Sequence, residues 1–200
     1  MKSGIRRSGF ALFAFAVTLL ASSAFALPVV YEGTLSSGIS ATGTVTGGSW
    51  SKINGDEVDY WAFHAVAGDV VTIRVDRLDS GLDPVFSFYM GTTNVDTSLY
   101  NNGGSWGGLA FLDIADDENP PATGTGPFGD PELTTDPLAE KSLYTVIVGG
   151  FAFGSVDNNA NYHYRITVTN NTPEPMTLAL FGIGLAGLGF ARRRSAGKAM

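Results

Sequence analysis

The chain has 200 residues, 12 basic and 19 acidic, a net charge of −7 and no cysteine; residues 1–26 and 173–200 each come to +3, while residues 27–172 come to −13. A segment so acidic, whose five bases (Lys52, Arg74, Arg77, Lys141 and Arg165) are scattered, repels phosphate backbones and excludes a nucleic-acid partner. The lack of cysteine excludes disulfides, thiol catalysis and thiolate-held zinc or iron–sulfur centres, and the central segment is long enough for one packed core.

Met1 to Ala26 has the order of a secretory signal peptide: Lys2, Arg6 and Arg7, then an apolar run from Gly9 to Ala21, then small residues spaced A-x-A at Ala24 and Ala26. Signal peptidase is the partner this implies, with cleavage after Ala26 and Leu27 as the first mature residue. An uncleaved helical anchor is the alternative, but the run is short for a span.

From Val29 to Thr169 no stretch of ten residues keeps apolar side chains at helical spacing free of glycine and proline, whereas period-two alternation recurs. Strands are predicted at Val29–Leu35, Thr42–Thr46, Val58–Val66, Asp69–Asp76, Asp83–Met90, Leu109–Ala115, Ser142–Phe151 and Tyr162–Val168. In the fourth, Val71, Ile73 and Val75 share a face; in the last, the aromatic and aliphatic side chains do. Turn-rich stretches separate them at Ser51–Asp56, Leu78–Gly81, Thr92–Gly108 and Asp116–Pro137. Short strands with Gly, Asn and Asp turns give an all-β class, a jelly-roll-like β-sandwich over residues 27–172, with a closed barrel as the alternative.

Four blocks carry a resemblance. Asp56-Glu57-Val58-Asp59-Tyr60-Trp61-Ala62-Phe63, Ala67-Gly68-Asp69, Asp83-Pro84-Val85 and Tyr144-Thr145-Val146 stand in the order found in bacterial pre-peptidase C-terminal (PPC-like) domains, and the sequence resembles that family over most of residues 30 to 170. The resemblance implies a jelly-roll sandwich that serves as an accessory module on exported proteins and in some members binds calcium or an extracellular polymer. The chain departs from the pattern in its long Asp113–Asp136 segment.

Several side chains are candidates for chemistry. Gly103-Gly104-Ser105-Trp106-Gly107 matches the nucleophile-elbow string, with His163 downstream, so a hydrolase using Ser105 and His163 is one reading; the elbow needs a strand before and a helix after, and a glycine-rich hairpin accounts for the same letters. His64 and His163 lack the spacing of a histidine metal site. Acids are densest at Asp113, Asp116 and Asp117, the residues expected to hold calcium, which takes six to eight oxygens and needs neither cysteine nor histidine. Asp157-Asn158-Asn159 begins like a calcium loop but lacks its central glycine and closing acid. Trp50, Tyr89, Tyr100, Trp106 and Phe128 lie near predicted loops, where a ring can stack on a sugar face or pack in the sandwich end.

Met176 to Ala191 is a charge-free run of 16 residues followed at once by Arg192-Arg193-Arg194. As a helix it would be about 24 Å long, close to a bilayer's hydrocarbon thickness, with the arginines retained in the cytoplasm, so a single C-terminal transmembrane helix is expected. Gly182, Gly184 and Gly187 within it match a dinucleotide fingerprint but have no βαβ unit around them, and suit close helix packing instead. Pro173-Glu174-Pro175, the glycine-rich apolar helix and the arginine cluster together resemble the PEP-CTERM sorting signal of Gram-negative bacteria. That resemblance implies recognition of Pro173, Glu174 and Pro175 by an exosortase and cleavage at or near them. It further implies delivery to the cell surface or extracellular matrix, in bacteria that often make exopolysaccharide.

The expectation is therefore a non-enzymatic surface or matrix protein, transiently membrane-anchored, in contact with extracellular polysaccharide. The alternatives are a calcium-stabilised carbohydrate- or protein-binding accessory module and the hydrolase.

Overall fold

The computed structural model describes residues 27–50, 55, 57–122, 128–151, 157, 159–171 and 183. Among them the chain forms nine strands: β1 (Tyr31–Leu35), β2 (Ser40–Thr46), β3 (Asp59–Ala65), β4 (Val70–Arg77), β5 (Pro84–Met90), β6 (Ala110–Ala115), β7 (Glu132–Thr134), β8 (Ser142–Gly150) and β9 (Asn161–Asn171). A single 3-10 turn, Thr97–Leu99, lies in the connection between β5 and β6. The signal peptide and the C-terminal helix expected from the sequence lie outside the described residues.

The strands form a five-stranded sheet ordered β1-β3-β8-β5-β6 and a four-stranded sheet ordered β2-β9-β4-β7. From β2 onward successive strands alternate between the sheets except for β5 and β6, which are neighbours in the five-stranded sheet, and every pairing is antiparallel, which is the jelly-roll order. β1 is an addition at the edge, parallel to β3, with Leu35 opposite Phe63. Strand β7, three residues long, falls in the stretch read from the sequence as turn; so short a strand shows no period.

Alternation puts Val71, Ile73 and Val75 of β4 and Tyr164, Ile166 and Val168 of β9 into the space between the sheets, each at most 1% exposed. Phe63, Phe88 and Tyr144 come from the other sheet and stack with ring centroids 5.5–5.9 Å apart. Strands β5 and β8 are buried on both faces, which is why they read as unbroken apolar runs rather than alternating ones.

The second face of the five-stranded sheet is covered by its own connections. Tyr60, Val85, Tyr89 and Ile147 point outward there and pack with Trp50, Tyr100, Trp106 and Leu109 in a second apolar cluster. Trp50, Tyr89, Tyr100 and Trp106 are thus at most 7% exposed, which decides between their two readings for packing over sugar stacking: the apolar outer face has to be covered, and these rings cover it. Phe128 is half-buried. The glycine string Gly103–Gly107 belongs to this cover. Trp106 and Leu109 pair across Gly107 (φ +52°) and Gly108 (φ +86°), the two positive φ values that a type I′ hairpin turn demands.

Candidate metal centre

Two chain segments bring carboxylates together at one end of the sandwich. Asp83 precedes β5, after a turn closed by Leu82 N–H donating to the Asp79 carbonyl (3.1 Å), and its own carbonyl accepts from Phe151 N–H (2.8 Å). Asp116 and Asp117 follow β6. Because β5 and β6 run antiparallel with Phe86 opposite Ala115, the residues just past the end of β6 lie beside the start of β5. Carboxylate oxygens of Asp83, Asp116 and Asp117 come within 4.8 Å of one another.

The surroundings raise the cost of charge at this point. Asp83 is 6% exposed, and burial, with Asp116 and Asp117 adding to it, pushes its carboxyl up to about 7 against the opposing pull of Arg77. Burial, followed by Asp117 and Glu118, pushes Asp116 up to about 6. The Oδ1 atoms of Asp83 and Asp116 are buried without a hydrogen-bond donor. The nearest cation, Arg77, lies 3.8 Å from Asp83 Oδ1 but is committed elsewhere. Its Nε donates to Asp130 Oδ1 (2.5 Å), and its Nη2 donates to the carbonyls of Phe128 and Gly129.

The segment that carries Asp116 and Asp117 is fixed by local bonds. Glu118 accepts from Asp116 N–H (3.0 Å) and Glu132 N–H (3.1 Å), and Asp117 Oδ1 accepts from Gly129 N–H (2.8 Å). A β-carbon at Gly129 would press on the carbonyls of Asp117 and Asn119, so only glycine lets the two stretches of backbone lie this close. Three oxygen ligands held by a braced loop and a strand start are suited to a hard cation.

The sequence placed Asp116 and Asp117 in this role and paired them with Asp113. Asp113 does not join them: it is exposed on β6, its Oδ1 accepts from Ile114 N–H (2.9 Å), and three extended residues separate its α-carbon from that of Asp116 by about 10 Å. Asp83 takes its place. Ser105 and His163 are on opposite sides of the molecule. Ser105 Oγ accepts from Phe111 N–H (2.9 Å) in the cover of the five-stranded sheet, and the exposed His163 ring on β9 bonds Asp79 (2.8 Å). His64 is exposed on β3, and Asp157 caps the turn into β9 by accepting from Asn159 N–H (2.9 Å). Ala24, Ala26, Pro173, Glu174, Pro175 and Arg192 to Arg194 lie outside the described residues.

A second acidic feature went unremarked in the sequence as a site. An open cleft of about 290 Å³ is lined by Leu27, Val30, Glu32, Asp59 and Tyr60 among others. Burial pushes Asp59 up to about 6, against a hydrogen bond from Tyr164, with Glu32 adding to the rise.

Comparison with known proteins bears on the tail and the fold separately. Residues 171–194 match the PEP-CTERM protein-sorting motif. No curated protein matches the chain. Among solved structures, the chain is similar to CorA, a surface-associated copper-binding protein of Methylomicrobium album BG8, with 16% identity over 70% of this chain and 98% of that one and a TM-score of 0.52. It is also similar to the pre-peptidase C-terminal domain of a Bacillus anthracis collagenase, at 14% identity over 70% and 98% of the two chains and a TM-score of 0.41. A third is the secreted protein MopE of Methylococcus capsulatus, in which an oxidized tryptophan facilitates copper binding, at 10% identity over 70% and 87% and a TM-score of 0.48. Identities this low speak to the fold alone.

Proposed function

From the PEP-CTERM protein-sorting motif that this chain carries, which marks it as exported, processed by an exosortase and destined for the cell surface or beyond, we propose that it is a non-enzymatic surface or matrix module in contact with extracellular polysaccharide. The tail anchors it in the inner membrane until the exosortase cuts at or near Pro173-Glu174-Pro175; the sandwich is then the working part. The motif at residues 171–194 carries this reading: it begins at Asn171, the last residue of β9, so a cut at Pro173-Glu174-Pro175 would leave all nine strands in the mature part. The separation of Ser105 from His163 supports a binding rather than a hydrolytic role.

Changing Pro173, Glu174 and Pro175 to alanine should leave a longer, membrane-retained form in place of the mature one on immunoblots of fractionated cells. Normal maturation of that variant would refute the sorting role. The mature protein should sediment with extracellular polysaccharide and be freed by polymer degradation; a protein equally free in medium before and after that treatment would overturn the polymer contact.

A further inference from the structure

We propose that Asp83, Asp116 and Asp117 bind one calcium ion. The acidic cluster alone would not require it; the state of its innermost member does. Asp83 is 94% buried, judged from its 6% exposure, and presents to its two acidic neighbours a carboxylate whose Oδ1 has no donor. Asp116 Oδ1, buried beside it, also has none. A buried acceptor left without a partner is costly, and three carboxylates at this separation repel. Arg77 relieves Asp83 only in part: its Nη2 stands 3.8 Å from Asp83 Oδ1, while Nε donates to Asp130 and Nη2 to the Phe128 and Gly129 carbonyls.

The donor set and its dimensions select the ion. All three ligands are carboxylate oxygens, which suits a hard cation over copper or zinc. Two oxygens at about 2.4 Å from a common calcium ion lie at most about 4.8 Å apart, so oxygens that all lie within 4.8 Å of one another can share one such ion. Magnesium, with oxygens at about 2.1 Å, demands near-octahedral geometry and gives up its waters reluctantly, which a site built from a strand start and a loop serves less well than it serves calcium. Asp117 is exposed, so water or an outside oxygen can complete the six to eight ligands from the solvent side. The ion would tie the start of β5 to the end of β6 and, through the Asp117 to Gly129 bond, to the stretch leading into β7.

The test uses the full-length protein expressed with its export signals, purified from the cell envelope or medium and stripped with EDTA. Calorimetric titration with calcium chloride should give one site per chain. Saturating calcium should raise Tm by about 5 °C or more, and magnesium should bind at least about tenfold more weakly. Asp117→Asn, at an exposed position that leaves the core untouched, should weaken calcium binding about tenfold or more; Asp83→Asn should do the same while its calcium-free Tm equals or exceeds that of the wild type. Absence of both heat and Tm shift up to about 10 mM calcium, or unchanged affinity in Asp117→Asn, overturns the proposal. Should Asp83→Asn fail to fold, Asp117→Asn decides alone.

Discussion

Tyr164 holds the two sheets together by more than its ring. Its hydroxyl accepts from Trp61 Nε1 (2.7 Å) and donates to Asp59 Oδ2 (2.6 Å), so a β9 side chain bridges two side chains of β3 across the core. Tyr164→Phe keeps the packing and deletes both bonds, leaving the indole N–H without its acceptor and Asp59 with only the Thr44 N–H (3.1 Å). The expected loss is about 1–3 kcal/mol in equilibrium urea unfolding. A loss below about 0.5 kcal/mol, the level of an ordinary surface change, would show that the bridge contributes nothing. The alternation of β9 in the sequence indicated that Tyr164 faces inward. It could not indicate that the hydroxyl meets Asp59, because that depends on how the sheets face each other, and Asp59 read only as an acid near the start of the Val58–Val66 strand.

At the scale of elements, the connection between β6 and β7 is held by an ion pair that sequence reading passed over. Arg77, at the end of β4, and Asp130, just before β7, are 2% and 0% exposed and meet at 2.5 Å. Asp130 also accepts from Ala122 N–H (2.7 Å), and its backbone pairs with Asn119 in both directions. Asp130→Ala leaves a buried guanidinium unpaired and should cost about 3–5 kcal/mol in urea unfolding. Changing Arg77 and Asp130 together to apolar residues of similar volume should cost less than Asp130→Ala alone; a double variant as unstable as the sum of the two singles would show that packing, not charge, fixes the segment. Alternation and turn residues made most of the longer strands legible, since each has a face to bury. The acids at Asp116 and Asp117 were legible as a cluster, but their partner Asp83 was not, because only the β5–β6 register sets it beside them. Likewise the sequence left the loop aromatics open between sugar stacking and packing, since nothing local in it says that β5 and β8 are covered on both faces.

For the whole molecule, the residue and element features combine into a pH response. In the folded chain Asp83 is raised to about 7 and Asp59 and Asp116 to about 6, each from an ordinary 3.8, with burial the largest cause in all three. Between about pH 4 and 7 the folded protein therefore retains protons that the unfolded chain has released, and stability falls as pH rises through that window. Opposing groups act lower down. Asp76, where hydrogen bonds from Arg165 and Arg74 together overcome burial, and Asp79, bonded by the His163 N–H and ring, are held below 3.8, so their contribution is lost only as pH drops below about 4. In EDTA, Tm should peak near pH 4–5 and decline towards pH 8, a trend that self-repulsion in a segment of charge −13 reinforces. Calcium at Asp83, Asp116 and Asp117 takes the place of the protons there and stabilises the deprotonated form, so with 5 mM calcium the decline from pH 5 to 8 should shrink, leaving chiefly the part due to Asp59. Magnesium at the same ionic strength separates site binding from screening, since screening of a diffuse charge does not distinguish the two ions. A Tm in EDTA that rises from pH 5 to 8 would contradict the raised carboxyls, and equal recovery by both ions would assign the response to the overall charge.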